Sequence, residues 1–94
     1  MNAKEELFER LRQHAIETRS VSISWNASDG GPRMDVEIKA YGGGILTSWV
    51  DDMILGDIGG PTGSYIIIGI VQNVFGSRAR LVHRGNFYLE FVIV

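Results

Sequence analysis

The 94-residue sequence predicts an α+β fold: an N-terminal amphipathic helix packed on a five-stranded, mainly antiparallel sheet, with a C-terminal three-strand meander and a short middle helix. Three observations predict it. Apolar residues recur at helical spacing near the N-terminus. Two later segments alternate apolar and polar residues with a period of two. From Tyr65 to Val94 the chain is rich in β-branched and aromatic residues. It is punctuated at Gly76-Ser77 and Gly85-Asn86, pairs suited to tight turns.

The first helix is expected from Asn2 to about Thr18. Asn2 supplies a cap, and Glu5 three residues on completes a capping-box pattern. Leu7, Phe8, Leu11, Ala15 and Thr18 form one apolar stripe, while Glu5, Glu6, Glu9, Arg10, Arg12, Gln13 and Glu17 take the wet side. Such a helix needs a sheet to lie on. Val21 to Ala27 and Met34 to Ala40 alternate cleanly and read as half-buried antiparallel strands. Gly42-Gly43-Gly44 then breaks the chain. Ser48 and Asp51 resemble a second cap, which predicts a short helix from Trp49 to Leu55, with a strand at Ile45 to Val50 as the competing reading.

Tyr65 to Val71 is apolar except for Gly69, as expected of a central strand covered on both faces. A three-residue loop at Arg84-Gly85-Asn86 would pair Leu81 with Leu89, Ala79 with Phe91 and Arg80 with Glu90. The core face would then carry Ile66, Ile68, Ile70, Val74, Ala79, Leu81, Phe87, Leu89, Phe91 and Ile93. The opposite face would carry Phe75 and Val94, with Arg78, Arg80 and Arg84 interspersed, and six further residues: Tyr65, Ile67, Val71, Val82, Tyr88 and Val92. Those six are the expected interface, since large apolar patches on a surface mark contact sites.

A chain of this length suits one domain, residues 1–94. Its apolar fraction of 45% and charged fraction of 21% are ordinary for a globular protein. A net charge of −2 argues against bulk electrostatic binding of nucleic acid. The absence of cysteine excludes disulfides and thiolate chemistry. No window approaches the ~18 apolar residues of a membrane span, and the charged N-terminus does not suit a secretory signal. A cytoplasmic location follows as the expectation.

Catalytic signals are weak. Asp51, Asp52, Asp57 and His83 are the candidates for a ligand or metal, but their spacing matches no metal loop. Carboxylates at a helix start are the simpler reading of the three aspartates, and a structural histidine, mid-strand on the core face, is the simpler reading of His83. Gly59-Gly60-Pro61-Thr62-Gly63 lacks the lysine of a phosphate loop. Arg78, Arg80, His83 and Arg84 near Phe87 and Tyr88 could serve single-stranded nucleic acid, although so few charges fit a solvated strand better. No cofactor is expected. The sequence therefore favours a small non-enzymatic interaction module, of adaptor, inhibitor or immunity type. It would self-associate, as a homo-oligomer, or dock a protein partner. A small-molecule binder or enzyme, with a pocket between the meander and the Gly42–Ser64 segment, is the alternative.

Overall fold

The computed structural model describes residues 3–26, 33–51 and 63–94. Helix α1 (Ala3–Gln13) leads into strands β1 (Thr18–Asn26), β2 (Arg33–Ala40) and β3 (Ile45–Asp51). Helix α2 (Gly63–Phe75) and a 3₁₀ turn at Gly76–Arg78 follow, and strands β4 (Ala79–Gly85) and β5 (Tyr88–Ile93) close the chain. The sheet runs β3-β2-β1-β5-β4, and every neighbouring pair is antiparallel. The α+β class, the N-terminal helix, the five antiparallel strands and a short second helix are as expected. The identity of one strand and one helix is not.

Helix α1 is shorter than its apolar stripe. The Thr18 hydroxyl donates to the His14 carbonyl at 2.6 Å, and the Thr18 amide donates to the same oxygen at 3.0 Å. These bonds turn the chain out of the helix and into β1. Leu7 and Leu11 are fully buried. On the wet side Arg10 donates to Glu6 at 2.8 Å, the expected pair one turn apart.

The segment predicted as a central strand, Tyr65–Val71, is the body of α2. Its β-branched content favours a strand, but thirteen residues make a long strand and an ordinary helix. Helical winding puts Ile67, Val71 and Phe75 on one buried stripe. Tyr65, Gly69 and Gln72 fall together on the exposed side. A strand would instead put Ile67, Val71 and Phe75 on the same face as the exposed Tyr65 and Gly69. Burying a continuous stripe outweighs intrinsic β propensity, which spans only ~1 kcal/mol per residue. The C-terminal meander is therefore a β4–β5 hairpin preceded by a helix. Gly76 ends that helix with φ of 61°, a left-handed conformation that glycine adopts without strain.

The expected helix at Trp49–Leu55 is likewise corrected: Ile45–Asp51 is a strand, and residues 52–55 lie outside those described. Gly42 and Gly43 have φ of 87° and 91°. Positive φ at two successive residues suits the tight turn of a hairpin, so the glycines join β2 to β3 where a break was expected. The Ala40 amide reaches the Gly44 carbonyl at 2.7 Å and closes that turn.

One core joins the layers. Val21, Ile23 and Trp25 of β1 align with Ile38, Val36 and Met34 of β2, and Val21 and Ile23 also face Phe91 and Leu89 of β5. These side chains pack with Leu7, Leu11, Ile67, Val71 and Phe75 from the helices. Both helices thus cover the same side of the sheet. Trp25 is a core residue.

Two substitutions test this arrangement by denaturant unfolding. Leu11→Ala should cost ~2–5 kcal/mol, the range for truncating a fully buried leucine; a loss under ~0.5 kcal/mol would mean that α1 is not docked. Gly69→Ala should raise stability by up to ~1 kcal/mol, since the site is helical and exposed and the added methyl meets open space. A destabilised Gly69→Ala variant would argue against α2 as a helix.

Candidate functional site

The hairpin register decides which side chains share a surface. Gly85 pairs with Tyr88 across a two-residue turn, Leu81 pairs with Phe91, and Ala79 with Ile93. The ladder then slips: His83, and not Val82, stands opposite Glu90. Val82 is the extra residue of a β-bulge. The expected face of Leu89, Phe91 and Ile93 is correct, but the predicted pairing of Arg80 with Glu90 is not. Arg80 aligns with Val92 instead. The predicted pairing requires a three-residue loop at Arg84-Gly85-Asn86, whereas the turn is the two residues Asn86 and Phe87, and beyond it the bulge shifts the register once more by one residue.

The bulge also aims two side chains in different directions. His83 stays on the open side, its ring edge-on to Tyr88 at 5.3 Å. Arg84 turns to the helical side, where it lies 5.0 Å over the Tyr65 ring and donates to the Ser64 hydroxyl at 3.0 Å. His83 is therefore exposed, contrary to its expected place on the core face. Phe87 is also exposed, although its ring meets Trp25 edge-on and its carbonyl accepts the Trp25 amide.

The six expected interface residues do not form one face. Ile67 and Val71 have no exposed surface, because they are the buried stripe of α2 and not one side of a strand. They belong to the core and can meet no partner in this fold. Tyr65 is 65% exposed at the start of α2, Val82 is 56% exposed at the bulge, and Val92 and half-buried Tyr88 lie on the open side of β5. What joins them is their position around β4. Every residue from Arg80 to Gly85 is exposed, and Leu81 is 39% exposed although it points to the helical side. The helices cover the middle of the sheet and stop short of this strand. Among the described residues β4 pairs on one side only.

Charge divides along the same line. Residues 63–94 hold three arginines and one glutamate, a net of +2, while the whole chain carries −2. Arg78 donates to the Val94 carbonyl at 2.9 Å and Arg84 to Ser64. Neither they nor Arg80 meet an Asp or Glu side chain among the described residues, whereas Arg10, Arg12 and Lys39 are ion-paired elsewhere. An exposed apolar strand edge set with unneutralised arginines is the site sequence reasoning missed. Its signal was available in the Ala79–Gly85 sequence, where apolar and basic residues interleave.

A second feature occupies the open face. Serines 20, 22 and 24 run down the middle strand between larger side chains on both neighbours. The result is an open hollow of about 610 Å³ lined by Ser22, Ser24, Asp35, Glu37, Tyr88 and Glu90 among others. The pocket expected against Gly42–Ser64 is not this one, and that segment lies partly outside the described residues. Of the acidic candidates, Asp51 ends β3 opposite Met34, while Asp52 and Asp57 fall outside them. Among the described residues no group of three or more His, Asp or Glu could hold a metal ion. None of their helices is long and apolar enough to cross a membrane.

A double-mutant cycle checks the bulge. His83→Lys should couple to Glu90 by ~0.2–1 kcal/mol, the size of a cross-strand pair, and the gain should vanish with Glu90→Gln. Coupling of Glu90 to Arg80 in place of residue 83 would restore the three-residue loop. No family model, curated protein or solved structure matches the chain, so its function has to be argued from these surfaces.

Proposed function

We propose that the protein is a non-enzymatic interaction module that docks another protein along the β4 edge. The observation that supports this reading is the exposure of β4 over nearly its whole length, with Leu81, Val82 and Val92 beside it. A strand edge presents a row of backbone donors and acceptors to any chain that can lie alongside. Apolar side chains next to that row add desolvation, roughly 25 cal/mol per Å² of apolar area removed from water. Tyr65 extends the surface onto α2, and its ring is held in place by Arg84.

The test is site-specific photocrosslinking in cells. A benzophenone side chain at position 82 should yield a discrete protein adduct, while one at Gln13, exposed at the end of α1, should not. Equal capture at both positions would sink the reading. Val82→Glu should abolish the adduct seen from a probe at Tyr65 while changing stability by less than ~0.5 kcal/mol, as expected for a surface position.

A small-ligand reading rests on the serine-floored hollow. It predicts that filling the hollow with Ser24→Leu abolishes ligand binding and leaves crosslinking at position 82 intact. Loss of crosslinking in that variant would place the docking surface on the open face.

A further inference from the structure

We infer that the β4 edge accepts an extended acidic segment of another protein as a sixth strand. The inference rests on the docking reading above and adds the partner's chemistry. Three guanidinium groups lie within seven residues, at Arg78, Arg80 and Arg84, and none meets an Asp or Glu side chain among the described residues. They are distributed over the strand and its start so that an added strand would meet positive charge on both its faces. Arg80 stands beside Val92 on the open side, and Arg84 stands beside Leu89 on the helical side. Between them sit Leu81 and Val82, which are apolar and exposed. The complementary segment is extended, with carboxylates toward its ends and apolar residues at its centre.

The same features reject a second copy of this chain. An antiparallel β4–β4 pair would bring the arginines of both copies to one seam with no Asp or Glu on either edge strand, and such a concentration of like charge is unfavourable. The bulge further spoils a regular ladder between identical edges. Charges and bulges are common devices against indiscriminate edge pairing. An acidic partner turns the same arginines into attraction, so one set of residues both excludes and selects. Nucleic acid fits less well. Three arginines are few against the phosphate contacts that normally support such binding, and the nearby rings of Tyr65, Phe87 and His83 already pack against Arg84, Trp25 and Tyr88.

The experiment is selection of displayed random dodecapeptides against the immobilised full chain, followed by hydrogen exchange with a synthetic peptide from the winners. The expected winners carry Asp or Glu toward their ends and apolar residues at their centre, and they protect β4 amides that β5 does not bond. Arg80→Glu should weaken their binding about tenfold, the factor that 1.4 kcal/mol represents. Arg80 is exposed and makes no ion pair among the described residues, so this variant should fold normally. The control Arg12→Gln, on α1, should leave binding unchanged. Winners without an acidic excess that still protect β4 would overturn the inference and leave the docking surface standing. Winners that protect no β4 amide would overturn both. Oligothymidylate that protects β4 more strongly than any peptide would make the edge a nucleic-acid surface instead.

Discussion

Nine buried side chains of β1, β2 and β5 make one continuous apolar face, and two helices are the described cover for it. At ~1.5–3 kcal/mol for each large side chain removed from water, covering that face dominates the choice among folds. Helix α1 brings Leu7 and Leu11, and α2 brings Ile67, Val71 and Phe75. Those five cover the three central strands. What remains of the sheet follows from the shortfall: β4 has a neighbour on one side and only marginal cover from above. Among the described residues, the exposed strand is thus a by-product of how much helix there is to cover the sheet.

The two sides of the sheet are legible in the sequence wherever one side faces water. Val21, Ile23 and Trp25 alternate with Ser22 and Ser24, and that alternation alone specifies β1 and its orientation. The same holds for β2 and for Leu89, Phe91 and Ile93 of β5. Legibility fails where apolar residues are contiguous. Ile66, Ile67, Ile68 and Ile70 contain no period of their own, and only their polar neighbours Gln72 and Asn73 and the length of the run betray a helix. It fails again at Val82, because a bulge is a property of two strands together and one strand's sequence does not display it. The candidate interface inherits both errors. Alternation assigns Ile67 and Val71 to a surface that does not exist and places Val92 correctly, while Val82 and Tyr65 are exposed for reasons that alternation does not contain.

The open side of the sheet differs from the helical side in composition as well as solvent. A row of serines on the middle strand, with Asp35, Glu37 and Lys39 to one side and Tyr88 and Glu90 to the other, keeps that side wet and hydrogen-bonding. Lys39 meets Glu37 at 3.2 Å, a contact of the exposed kind that contributes ~0–1 kcal/mol. This side therefore does little for stability, and its residues are free to vary without loss of the fold. The core face has no such freedom.

The pairing of β1 with β5 has a consequence for biosynthesis. Val21 finds Phe91, and Ile23 finds Leu89, only after almost the entire intervening chain has left the ribosome. At typical elongation rates of ~5–20 residues per second, β1 waits on the order of several seconds with β2 on one flank and nothing on the other. Closing so large a loop is entropically slow as well. The nascent α1-β1-β2-β3 segment is consequently the vulnerable species, with half of a hydrophobic layer uncovered. A holdase-type chaperone would find its target there, in the interval before the final strand arrives.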